Sequence, residues 1–196
     1  MKRMPVINLI TLVLLVIAVS MAAAQEKAAP QAASAPAGAK FFGPVLISSA
    51  GQSADVKMVG MMAKKIKLDA KVEIMAKPEQ LEGIKTLIVV PGFSSKGLGA
   101  AGISQKDEMA RVTALINAAD QKKIPILMVH IGGTARRLGQ SDAFNALAAK
   151  HSKYMLVVEQ GNSDGFFTKL AGETKTPLGI VKKIPDTTQA LEKLFK

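Results

Sequence analysis

Residues Thr86 to Gly102 read TLIVVPGFSSKGLGAAG. Thr86 to Val90 is an unbroken apolar run rich in β-branched side chains, with the length and composition of a strand buried on both faces. It passes at Pro91 into a stretch dominated by glycine and serine. Ser104 then caps a long helix whose Met109, Val112, Leu115, Ile116 and Ala119 form one apolar stripe, with Asp107 placed to pair with Arg111 at i,i+4. Buried strand, polar loop and amphipathic helix in that order make up most of a βαβ unit.

The same alternation extends to both sides. Upstream, Pro44 to Ser48 is a short apolar strand, and Ser53 caps a helix reaching Leu68 with Val56, Val59, Ala63 and Ile66 on one face. Val72 to Met75 reads as a second strand, and Pro78 opens a short helical turn that stops near Gly83. Downstream, Pro125 restarts the chain as the strand Ile126 to Ile131. A polar loop from Gly132 to Gln140 follows, and a helix from Ser141 carries Phe144, Leu147 and Ala148. Tyr154 to Val158 is the fifth strand, EQGNSD a third polar loop, and Asp164 begins a helix with Phe166, Phe167, Leu170 and Ala171 inward. Leu178 to Ile184 is a sixth strand and Thr187 to Phe195 a closing helix. Alternation of this kind predicts an α/β fold, a three-layer αβα sandwich with a mostly parallel sheet of five or six strands. The simplest order is the flavodoxin-like, Rossmann-like 2-1-3-4-5 with the last strand at the edge. Ligands of such sheets bind beyond the carboxyl ends of the strands, where the winding reverses.

Three segments divide the chain. Residues 1–24 have the form of a signal peptide, with Lys2 and Arg3 ahead of an apolar Val6 to Val19 and small residues at Ala22 and Ala24. Residues 25–40 are an Ala/Pro-rich leader without hydrophobic periodicity, expected to be disordered. Residues 41–196 have the length of a single domain. The reading is therefore an exported protein, periplasmic or extracellular, with no membrane span once the signal is removed. The chain has no cysteine, which excludes disulfides, thiolate metal sites and a cysteine nucleophile. Its net charge is +11, two of those charges being Lys2 and Arg3 of the signal. With seven Phe, one Tyr and no recognition motif, the excess is read as a solvated basic surface, not a nucleic-acid site. Met58, Met61 and Met62 read as core filling; no metal site and no cofactor is indicated.

The candidate site lies on the loops that follow strands. Gly97, Gly99 and Gly102 spell the dinucleotide fingerprint, but after the third strand, and the next strand ends in His130 instead of an acidic residue. A dinucleotide site is not expected. The stretch from Pro91 to Gly102 is read as a flexible, amide-rich wall of a crevice, with Gly92, Ser94, Ser95 and Lys96 on it. Ser48, Ser49 and Gln52 come from the first loop and Asn162 from the third. Gly133, Arg136 and Arg137 follow the fourth strand, where a planar guanidinium suits a carboxylate or phosphate. His130, at a strand end, is either a packed side chain or a binding residue or proton donor of the site. His151 caps its helix or faces solvent.

The segments SAGQSADV, KTLIVVPGFSSKGLGAAGI, ILMVHIGGTARR and VEQGNSDGFFTKLA, in that order, resemble a group of secreted bacterial α/β domains known as a domain of unknown function. The resemblance implies the same fold, export and a site on these four loops, and brings no established activity. Two functions follow as expectations. One is capture of a small anionic or polyhydroxy ligand, for which a membrane transporter or sensor is a partner that export would allow. The other is a hydrolase or isomerase with His130 as acid/base and glycine-loop amides as oxyanion donors.

Overall fold

The computed structural model describes residues 40–196. The expected signal peptide and residues 25–39 of the leader lie outside the described residues.

Six strands make one all-parallel sheet: β1 (Val45–Ala50), β2 (Ala70–Val72), β3 (Thr86–Pro91), β4 (Ile126–His130), β5 (Tyr154–Val158) and β6 (Leu178–Val181), ordered β2-β1-β3-β4-β5-β6. This is the expected flavodoxin-like order with one strand added at the edge. The helices are α1 (Asp55–Lys65), α2 (Ser95–Ala101), α3 (Gln105–Gln121), α4 (Gly139–His151), α5 (Phe166–Thr174) and α6 (Asp186–Phe195). Side chains alternate across each strand, so neighbours in sequence enter opposite layers. Leu46, Leu87, Val89 and Met128 pack under Val112, Leu115, Ile116, Phe144 and Phe167 from α3, α4 and α5. Ile47, Ile88, Val90 and Val129 pack under Val56, Val59, Leu191 and Leu194 from α1 and α6. The four central strands β1, β3, β4 and β5 are buried along their whole length, which is why they read as continuous apolar runs.

Three local expectations are corrected. The second strand is Ala70–Val72, earlier than Val72–Met75, because the chain peels away from β1 after the pair Ile47–Val72. Ser48 takes over there, its hydroxyl donating to the Ile74 carbonyl at 3.2 Å and accepting from the Ala76 amide at 3.3 Å. Asp107 does not pair with Arg111. It closes a capping box with Ser104, accepting from the Ser104 amide at 3.1 Å and hydroxyl at 2.6 Å, and these bonds lower its pKa. Arg111 turns inward to Glu108. Finally, Ser95–Ala101 is a helix and not a flexible loop. The Ser94 hydroxyl accepts from the Gly97 amide at 3.1 Å, Leu98 is the buried anchor, and Gly102 ends the helix at φ 67°. A cap at each end and one buried leucine offset the roughly 1 kcal/mol that each glycine costs a helix.

Candidate functional site

The loops expected to converge do meet beyond the carboxyl ends of β1, β3, β4 and β5. The β1 and β3 loops are stitched by Gly92 donating to the Ala50 carbonyl at 2.9 Å, Ser94 to the Gly51 carbonyl at 2.8 Å, and a bridge between Gln52 and Phe93. The β4 loop joins them through Arg136, whose Nη1 donates to the Phe93 carbonyl at 3.1 Å. The β5 loop is drawn in by Arg137, which donates from Nη1 to the Gly161 carbonyl. Buried polar side-chain atoms without a hydrogen-bond partner also gather here. With the exception of Thr187 Oγ1, those found among the described residues belong to Ser49, Gln52, Asp55, His130, Arg136 and Asn145, all at this end of the sheet. Such atoms are few in folded proteins, which singles out this end of the sheet as the candidate site.

Over the β1 loop, between α2 and the chain that follows β2, opens a groove of about 830 Å³ beside the point where the winding reverses. Gln52, Ser94, Lys96 and Arg136, four of the residues expected from sequence, line it. Lys57 and Glu73, which the sequence reading did not assign to the site, line it as well. Lys57 lies off the buried face that Val56, Val59 and Ala63 form on α1. Its place one turn into the helix that follows the β1 loop is the signal that would have found it. A larger hollow of about 990 Å³ lies along the outer face of α3, but Lys106 is its one charged side chain and no loop end reaches it.

The remaining expected residues sit beneath or beside the groove. Ser48 bonds to the chain after β2, as above, and Ser49 is buried with its carbonyl accepting from Arg111 Nη2 at 2.6 Å. Gly92 is buried under the Arg136 side chain, and Gly133 packs near Gln160. Ser95 is exposed on the first turn of α2. Asn162 holds Thr168 through two hydrogen bonds of 2.8 and 3.1 Å and so fixes the start of α5.

His130 is fully buried, with its Nε2 3.1 Å from the Arg136 carbonyl and its ring 4.8 Å from that of Phe167. Burial lowers its pKa, partly offset by the bond to Arg136. A neutral ring donating from Nε2 therefore pins the turn that aims Arg136. Gly161 is required beside it, since a Cβ there would stand 2.7 Å from His130 Nδ1.

The two arginines separate completely. Arg136 lies over the β1 and β3 loops, half-buried, its Nε 3.7 Å from Asp55 Oδ2. Arg137 is a brace. Its side chain is 4% exposed and its five N–H donors are spent on Asp142, Asp164 and the Gly161 carbonyl, with the guanidinium 4.1 Å above the Phe166 ring. His151, the last residue of α4, contacts Asp120 of α3 at 2.5 Å, at the end of α4 away from the β4 loop.

Gly97 lets α2 sit directly on the β1 loop, for a Cβ there would fall 2.1 Å from the Gln52 carbonyl oxygen. Gly97→Ala is expected to destabilise the protein by about 1–3 kcal/mol, the steric cost outweighing the roughly 1 kcal/mol gained in helix propensity. Gly99→Ala, where a Cβ would meet nothing within 4 Å, is expected to stabilise it slightly. Urea denaturation of the two variants checks both signs.

The arrangement matches one family over almost the whole domain: residues 43–195 fit DUF6305, a domain of unknown function. The chain belongs to this family. No curated protein matches it. Among solved structures it is similar to AlinE4, described as an SGNH-hydrolase family esterase, and to a mutant of that esterase. Each is 12% identical over 78% of this chain and 81% of the other, at a TM-score of 0.29. A likeness that loose says nothing of activity. Membership of DUF6305 carries no chemistry either.

Proposed function

We propose that this DUF6305 chain is an exported binding domain that captures a small anionic or polyhydroxy ligand in the groove over the β1 loop, between α2 and the chain after β2. The observation that carries the reading is the charge of the lining: Lys57, Lys96 and Arg136 converge on it, against Glu73 as the one carboxylate among its described lining residues. The unpartnered Nε2 of Gln52, a side chain that is 7% exposed in all, adds a donor at the groove floor. Few convergent polar groups in a preformed cleft at the winding reversal are the usual form of a small-molecule site. Acid–base catalysis has less support, because His130 is held beneath the loops with Nε2 on the Arg136 carbonyl. The signal-like residues 1–24 support export, which would make a membrane transporter or sensor a fitting downstream partner.

The test is thermal denaturation of the protein against a panel of carboxylates, phosphates and sugars. At least one class is expected to give saturable stabilisation. Lys96→Ala combined with Arg136→Gln is expected to weaken it about tenfold or more, as charge-assisted hydrogen bonds are lost. A flat response across the panel would overturn the reading.

A further inference from the structure

The groove has two chemically different halves, and together they narrow the ligand. On the charged side, Arg136 already faces Asp55 at 3.7 Å, and Glu73 stands in the same lining as Lys57 and Lys96. Three cations against two carboxylates leave one positive charge to be neutralised. That fits a singly charged anion; a dianion would bring a second charge with no partner. On the other side, the wall is hydrocarbon. Val72, Ile74 and Met75 come from the end of β2 and the chain after it, and Ala100 and Ala101 from the last turn of α2. Val72 is 39% exposed, one of few large apolar side chains left open to solvent on this domain. Alanines and a valine offer nothing to the hydroxyls of a sugar, whereas they cover a hydrocarbon well.

We propose that the groove takes a monocarboxylate with an apolar body, its head at Lys96 and Arg136 and its hydrocarbon against Val72 and the end of α2. This rests on the anion-binding reading above and goes further by naming the ligand class. The volume of about 830 Å³ is ample for a medium-chain or aromatic acid.

Isothermal titration of the full chain with acetate, butyrate, hexanoate, octanoate, inorganic phosphate and neutral octanol tests it. Affinity is expected to rise by roughly fourfold for each methylene buried, until the chain outgrows the groove. Octanoate is expected to exceed both phosphate and neutral octanol. Val72→Thr, which keeps the shape of the side chain, is expected to flatten the dependence on chain length. Saturable binding of phosphate with no gain along the carboxylate series would leave the anion site standing and overturn this inference. Octanol binding as tightly as octanoate would overturn it too, by removing the role of the charge. Binding of neither phosphate nor any of the four carboxylates would remove this inference together with the anionic half of the reading above.

Discussion

Glu108→Ala is expected to cost the protein about 3–5 kcal/mol, read as a fall in the urea midpoint at unchanged slope. Glu108 is fully buried on the first turn of α3, and Arg111 meets it with two bonds of 2.7 and 2.8 Å. The pair is a clamp on the site. Glu108 Oε1 also accepts from the Gly51 amide at 2.9 Å, while Arg111 donates to the carbonyls of Ser49 at 2.6 Å and Ala76 at 2.8 Å. Alanine would leave a guanidinium desolvated without its counter-ion and would orphan the Gly51 amide. Glu108→Gln keeps an acceptor for Gly51 and loses the charge, so it is expected to fall between alanine and the native protein. If the uncompensated cation causes the loss, adding Arg111→Met to Glu108→Ala should recover part of it, less the cost of two unsatisfied carbonyls. A loss below about 1 kcal/mol for Glu108→Ala would mean that the β1 loop holds its shape without the clamp.

That clamp was not legible from the sequence, and the reason is physical. Glu108 and Arg111 occupy the same helix as Asp107, and i,i+4 spacing offers Asp107 and Arg111 as the natural pair. Which carboxylate Arg111 takes is decided by the β1 end lying against α3, a contact between segments some sixty positions apart. Local spacing cannot contain it. The strands are the opposite case. Runs such as TLIVV and ILMVH are apolar throughout because both faces of the sheet are covered, so the layer architecture is written into each segment, and crossover handedness narrows the order. The site was legible at the level of loops and less so residue by residue. Gln52, Ser94, Lys96 and Arg136 do line the groove, because strand-end loops must gather at the carboxyl edge. Arg136 and Arg137, adjacent and identical, could not be told apart from composition. Their difference comes from Asp142 and Asp164, which only the packing of α4 and the β5 loop brings within reach. The glycine-rich stretch was read as flexible because propensity counts each glycine against a helix and does not weigh a buried Leu98 and two caps.

Arg137→Lys is expected to destabilise the protein by about 2 kcal/mol and Arg137→Ala by about 2–3 kcal/mol, the partial exposure of both aspartates keeping the figure below that of a fully buried pair. Lysine has three donors on a flexible stem and cannot span Asp142 at 2.8 Å, Asp164 at 2.8 and 2.9 Å and the Gly161 carbonyl together. It also loses the planar contact over Phe166. The pH dependence separates this brace from mere packing. Hydrogen bonding to Arg137, with help from the Phe166 amide, lowers the Asp164 pKa to about 2. Because the folded carboxyl titrates below the unfolded one, its contribution is fully present above the ordinary aspartate range, and it is lost as pH falls through about 2. The Asp164 contribution to the native protein's stability should therefore fall away between about pH 4 and 2. Arg137→Ala should show a shallower decline over that window, having already given up the interaction that acid removes. Parallel slopes for the two proteins would show that Asp164 is not coupled to Arg137. In that case the start of α5 would be held against the end of β4 chiefly by Phe167 packing on His130, with their rings 4.8 Å apart.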